Sequence, residues 1–259
     1  MGTFLFDKIV FGPVKSRRLG ISLGINLLPV DAKYCNYDCI YCECGLNEEN
    51  PIAGKKLPTR IEVYNALTQK LNEMHKERVL PDVITFAGNG EPTMHPSFPE
   101  IIDDTIALRN KYSPKTKISV LSNSSMLHRD AVVSALKKVD QNIIKLDSGN
   151  ISSINSINQP SKQVNLKNWV ESVKKFNGGF ILQTMFVRGE IKETMIDNTT
   201  EDDLSPWLEI LKETAPQMVM IYTIDRDAPY KSLKKVPKYD LEKIAARVIE
   251  LGISVQVSG

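Results

Sequence analysis

The chain has 259 residues, 42% of them hydrophobic and 25% charged, with a formal net charge of +2. This is the composition of an ordinary soluble globular protein long enough for one large core, and so small a charge gives no reason by itself to expect a polyanionic partner. No apolar run approaches the ~18 residues of a membrane span, and the N-terminus lacks a charged, apolar and small-residue succession; a cytoplasmic protein is expected, in which clustered cysteines mean metal more often than disulfide.

Residues 1–20 read as a turn-rich leading segment containing Phe11-Gly12-Pro13-Val14-Lys15-Ser16-Arg17-Arg18-Leu19-Gly20. Arg17 and Arg18 are candidates for binding a carboxylate or an anionic substrate, although a solvated pair beside a turn explains them equally well. Ile21 to Leu28 alternates apolar with small or polar residues and stops at Pro29, as a first strand would. It delivers the chain to Tyr34-Cys35-Asn36-Tyr37-Asp38-Cys39-Ile40-Tyr41-Cys42, with Cys44 just beyond and no cysteine elsewhere. On a straight helix Cys35 and Cys42 would lie about 10 Å apart at ~1.5 Å per residue. The segment is therefore expected to curl as a loop around one compact ligand. Iron-sulfur clusters are held by cysteine thiolates, usually four. The regular spacing here supplies three, which leaves one iron for an outside ligand. A zinc site, which pairs two Cys knuckles across a longer stretch, is the weaker reading.

Thr59-Arg60-Ile61-Glu62 has the form of a capping box, and Val63, Leu67, Leu71 and Met74 follow on one helical face. Val83 to Ala87 reads as a buried strand between Pro81 and Gly88. Helical patterns near 97–111, 127–139, 165–176, 205–214 and 239–250 then alternate with apolar runs at 118–121, 143–146, 180–187, 218–223 and 253–257. Gly178-Gly179 reads as a helix stop, and Ser205-Pro206 as a helix start. Such alternation implies parallel βαβ units, which right-handed crossovers curl into a barrel or an open partial barrel. The expected fold is α/β: a partial (open) parallel (β/α)6 TIM-like barrel with a possible extra C-terminal strand. Chemistry in such barrels sits at the C-terminal strand ends. There the sequence places Gly88-Asn89-Gly90-Glu91-Pro92, then Ser122 and Asn123, Lys145 and Asp147, Gln183 and Thr184, and Tyr222 to Arg226.

Cys35-x-x-x-Cys39-x-x-Cys42 with Tyr41 before the third cysteine resembles the cluster loop of the radical S-adenosylmethionine (radical SAM) superfamily. Gly88-Asn89-Gly90-Glu91-Pro92 is similar to that family's glycine-glutamate segment, except that Asn89 stands where a glycine often does. The resemblance covers roughly Ile21 to Thr223. With Gly-Pro-Val-x-Ser-Arg-Arg-Leu-Gly and Tyr-Thr-Ile-Asp-Arg, it extends to a single-cluster subgroup related to wyosine-synthesis proteins.

The resemblance implies one [4Fe-4S] cluster on Cys35, Cys39 and Cys42, with SAM chelating the open iron. An external donor such as flavodoxin or ferredoxin would supply the electron, and the 5′-deoxyadenosyl radical would take hydrogen from an unidentified small molecule, peptide or RNA. Gly88, Gly90 and Glu91 would contact the methionine amino group. Ser122, Asn123, Lys145 and Asp147 would contact ribose or carboxylate, Tyr41 the adenine, and Tyr222 and Thr223 the adenine or substrate, with Thr184 a further cofactor-binding candidate. For these residues beyond the glycine-glutamate pair, a barrel-interior role satisfied within the protein is the competing reading. Residues 1–259 are expected to form one domain, with a core at about 21–223 and a C-terminal helix and strand in 224–259. Cys44 reads as a spare thiol, and His95 as part of a helix start. A glycyl-radical activating enzyme, a tRNA- or RNA-modifying enzyme using Lys231, Lys234, Lys235 and Lys238, and a noncatalytic metal-binding scaffold are the alternatives.

Overall fold

The computed structural model describes residues 4–16 and 20–259. Arg17 and Arg18 lie outside the described residues. Seven strands run parallel in spatial order: β2 (Gly20–Ile25), β3 (Val83–Phe86), β4 (Lys117–Ser122), β5 (Gln141–Lys145), β6 (Ile181–Ile191), β8 (Met218–Thr223) and β10 (Ser254–Ser258). The first six carry the expected partial barrel, and β10 is the additional C-terminal strand. The sheet does not close. One edge is β10, and the other is β1 (Val10–Ser16), antiparallel to β2. The far end of β6 pairs with two short antiparallel strands, β7 (Thr194–Asp197) and β9 (Lys234–Lys235).

Strand alternation sorts the residues into two layers. Leu23, Ile25, Ile84, Phe86, Ile118, Val120, Ile144, Leu182, Val219 and Ile221 face outward and pack beneath the helices in one continuous core. Those helices include α1 (Arg60–Glu77), α2 (Phe98–Tyr112), α3 (Asp130–Leu136), α6 (Glu201–Thr214) and α7 (Lys238–Glu250). The opposite face is concave: the Lys145 ammonium on β5 reaches past β6 to the Tyr222 hydroxyl on β8, 2.7 Å away. The capping box at Thr59 and Glu62 forms as the sequence indicates, with α1 burying Val63, Leu67, Leu71 and Met74.

Several elements depart from the sequence reading. The leading segment contains β1, which Gly12 and Pro13 conceal. Helix α3 is shorter than its apolar pattern because Leu127 and Arg129 sit in turns that close onto Ser124 and Met126. Helix α6 begins a turn before Ser205-Pro206: Thr200 precedes the acidic first turn Glu201-Asp202-Asp203, and the Thr200 hydroxyl donates to Asp203 at 3.0 Å, leaving Pro206 inside the helix. Helix α4 (Ile151–Asn158), started by the Asn150 side chain and followed by α5 (Leu166–Lys174), has no counterpart among the expected elements. Among the described residues no helix is long and apolar enough to cross a membrane.

Candidate functional site

The cysteine segment is a loop fastened at both sides. On one side, the Tyr34 N–H donates to Asn89 O (2.8 Å), and the Glu91 N–H donates to Tyr34 O (3.1 Å). A Cβ on Gly90 would stand 2.0 Å from Tyr34 O, and this residue has φ +138°, so only glycine permits the approach. On the other side, the Asp38 and Ile40 N–H groups donate to Asn158 O and Ile157 O, both at 3.0 Å. These are the last carbonyls of α4, which a helix leaves without internal partners. At the base, the buried Lys33 ammonium donates to Asp38 Oδ1 (2.9 Å) and Gly45 O (2.7 Å).

Cys35, Cys39 and Cys42 are half-buried, and two of the three sulfurs accept hydrogen bonds from the chain. Cys35 Sγ accepts from the Tyr37 N–H (3.4 Å) and the Asn123 amide (3.6 Å), and Cys39 Sγ accepts from the Asn158 amide (3.4 Å). At Cys42 the neighbouring Cys44, with Lys33 and Lys145, outweighs burial and lowers the thiol to about 6. Burial and the neighbouring thiols push Cys35 well up, and burial pushes Cys39 to about 11 against the pull of Lys145. Thiols crowded in this way would all give up their protons only with positive charge between them. Among the described residues no three Cys, His, Asp or Glu side chains converge tightly enough for a single metal ion. Three half-buried sulfurs, two of them with amide donors, fit a larger iron-sulfur cluster, whose sulfur ligands are commonly hydrogen-bonded.

Two buried carboxylates flank the loop. Glu91 Oε1 accepts from the Thr93 N–H (3.1 Å), the Thr93 hydroxyl (2.5 Å) and the Ser122 hydroxyl (2.9 Å), while Oε2 accepts from the Asn123 N–H (2.6 Å). The carboxylate thus ties the turn after β3 to the end of β4. Asp147 accepts from the Tyr41 hydroxyl, from the Asn158 amide (2.6 Å) and from the Met185 N–H (2.8 Å). Lys145 lies 3.8 Å from it and sits over the rings of Tyr41 (4.6 Å) and Tyr222 (5.2 Å). Burial opposes charge on Lys145, but Asp147, Tyr222 and Cys39 raise its pKa. Beyond Cys39 and Tyr41, Met185, Val187 and Leu233 form a buried apolar wall.

The structure brings Tyr41, Gly88, Gly90, Glu91, Ser122, Asn123, Lys145, Asp147 and Tyr222 to the same rim as the three cysteines. Thr184 is not brought there. It faces the helix layer, where its hydroxyl donates to Leu146 O (2.8 Å) and accepts from the Trp207 indole (3.1 Å), because the period of two gives the concave face to Gln183 and Met185.

Asn89 does not point into the site either: its side chain clasps the Phe6 peptide, accepting from N–H (2.8 Å) and donating to O (2.9 Å), and also donates to Pro29 O (2.8 Å). His95 is structural. Its Nδ1 accepts from the Ser97 N–H (3.1 Å), so Nε2 donates to Pro58 O (2.8 Å). Cys44 is buried, with its thiol toward Gly88 O (3.5 Å). In the basic run, Lys235 pairs with Asp225, and Lys238 lies 3.7 Å from Glu242. Lys33 and Asn158 were not singled out in the sequence. Asn158-Gln159-Pro160 carried the signal of a helix end before proline, whereas nothing marked Lys33.

The family model of the radical SAM superfamily matches residues 30–201. The chain belongs to the radical SAM superfamily. A UPF0026 protein of Methanocaldococcus jannaschii is 31% identical across 90% of this chain and 68% of its own length. A protein named GTPase Obg from Brachyspira hyodysenteriae is 30% identical across 98% of this chain, which spans only 35% of that longer relative. Among solved structures, a radical SAM methyltransferase from Sphaerobacter thermophilus superimposes with a TM-score of 0.66 at 10% identity, covering 92% of this chain and 65% of the other. Streptococcus suis SuiB bound to S-adenosylmethionine gives 0.61 at 14% identity, covering 92% and 47%. At such identities the superpositions speak for the fold, the open radical SAM barrel.

Proposed function

We propose that this radical SAM protein holds one [4Fe-4S] cluster on Cys35, Cys39 and Cys42, and that SAM binds the remaining iron on the concave face. Bound there, the pair would supply one-electron cleavage of the sulfonium and a 5′-deoxyadenosyl radical for taking hydrogen from a substrate. The observation that carries this reading is the fastening of the three-cysteine loop between the turn at Asn89-Gly90-Glu91 and the end of α4. Glu91 fixes the turn against β4, leaving the backbone groups of that turn, rather than the saturated carboxylate, to meet the methionine amino group. Asn123 orients the Cys35 side. Lys145, beside Asp147 and between two tyrosine rings, is the cation on the concave face suited to a carboxylate, and the apolar wall beyond Cys39 keeps water from the reacting atoms. We read residues 1–259 as one radical SAM domain acting in the cytoplasm, with a flavodoxin- or ferredoxin-type donor and a substrate whose identity is open.

The test is anaerobic reconstitution followed by dithionite and SAM. Release of 5′-deoxyadenosine is expected from the wild type, with loss to background in Cys39→Ala and retention in Cys44→Ala. Tightly bound zinc without iron after anaerobic purification would replace this reading with that of a metal-binding scaffold.

A further inference from the structure

Of the side chains that donate to the three sulfurs, Asn158 is held most completely. It is the last residue of α4 and only 4% exposed. Its Nδ2 lies 2.6 Å from Asp147 Oδ2, 3.0 Å from the Tyr41 hydroxyl oxygen and 3.4 Å from Cys39 Sγ. The contact with Asp147 fixes which way the carboxamide faces. Turned over, it would set its oxygen against a carboxylate that already accepts from Tyr41 and Met185, and two acceptors would then face each other without a proton between them. With one N–H directed at Asp147, the other is shared between the Tyr41 oxygen and Cys39 Sγ, so Cys39 is presented with a donor.

We infer that Asn158 is a positioning residue that raises the reduction potential of the cluster through Cys39, an inference that rests on reading Cys35, Cys39 and Cys42 as the ligands. A cluster gains negative charge on reduction, and part of it resides on the ligand sulfurs. A hydrogen bond to such a sulfur stabilises the reduced form more than the oxidised one and moves the potential upward. Asp147 serves this arrangement by holding the amide. Asn158, Asp147 and Tyr41 together join the cysteine loop to the concave face, so the residue that tunes the cluster is also one that anchors the loop.

The experiment is an EPR-monitored redox titration of the anaerobically reconstituted full chain. Asn158→Ala is expected to shift the midpoint to more negative potential and to alter the g values of the reduced cluster. Tyr41→Phe, which keeps the amide-sulfur bond while disturbing the same neighbours, is expected to leave the midpoint near that of the wild type. If Asn158→Ala does not retain iron, Asn158→Ser, too short to reach the sulfur, is expected to show the same negative shift. A wild-type midpoint in an iron-replete Asn158 variant, or an equal shift in Tyr41→Phe, would overturn the inference while leaving the proposed function intact. A wild-type chain that assembles no cluster would overturn both.

Discussion

Glu91 and Asp147 stand on either side of the cysteine loop, both buried and both surrounded by hydrogen-bond donors, yet their surroundings differ in kind. Every donor to Glu91 is uncharged: a backbone N–H and hydroxyl from Thr93, the Ser122 hydroxyl and the Asn123 N–H. Burial therefore prevails, and the Glu91 carboxyl is pushed above its ordinary range against the pull of those donors. Asp147 has neutral donors too, but it also has the Lys145 ammonium at 3.8 Å. Glu91 thus acts as a rivet between two strand ends, whereas Asp147 is the centre of a charged group that includes Lys145, Tyr41 and Asn158. Equal burial does not make two carboxylates equivalent; their partners decide what is lost with each.

The largest effect is expected where a charge would be left behind. Asp147→Ala removes the acceptor of Tyr41, Asn158 and the Met185 N–H and leaves Lys145 without its nearest carboxylate, a change that costs about 3–5 kcal/mol when a buried pair is broken from one side. Urea unfolding measures it. A loss below about 1 kcal/mol would mean that Lys145 is not countered by Asp147 and that the contrast with Glu91 fails.

An intermediate effect is expected at Glu91, with a distinct dependence on pH. An acid with a raised folded-state pKa binds protons more tightly when folded, so its contribution favours the fold at low pH. That contribution is lost as pH rises from about 4.3, the ordinary glutamate value, through the raised one. Glu91→Gln turns an amide N–H toward groups that are donors and costs about 1–3 kcal/mol. It also removes the titration. Melting temperatures measured across this range should fall with pH more steeply in the wild type than in Glu91→Gln; parallel curves would show that the Glu91 pKa is not raised.

Much of this was legible in the sequence. The alternation of apolar runs and helical patterns identified the parallel strands, because outward positions such as Ile84, Val120 and Leu182 must bury apolar surface beneath helices, and that requirement is written as periodicity. The cysteine spacing identified the loop, and Gly90-Glu91 stood out as a turn allowing close backbone approach, but that the approach is to Tyr34 O, and so fastens the loop, is seen only in the structure. What remained hidden depends on long-range partners. Asn89 resembles a departure from a glycine pair until the Phe6 peptide is seen in its grasp, 83 residues away in sequence. Asn158 sits 119 residues from Cys39. Helix α4 is only eight residues long, too short for its apolar positions to establish a period.

The smallest effect separates the two faces of β6. Thr184 was expected at the site because it lies near a strand end, but its hydroxyl joins Leu146 O to the Trp207 indole on the side facing α6. Leu146 immediately precedes Asp147, so a claim that Thr184 acts on the site would have to pass through that backbone. The Asp147 side chain is instead held by donors reaching it from Tyr41, Asn158 and the Met185 N–H, and the Thr184 hydroxyl is not among them. Thr184→Val keeps the shape and deletes the hydroxyl, at a cost of about 1 kcal/mol for the hydrogen bonding lost, and it should leave the rate of 5′-deoxyadenosine release unchanged. A lowered rate with little loss of stability would mean that the helix-facing side of β6 does set the position of Asp147. The separation between a structural outer face and a chemical inner face would then be incomplete at this strand.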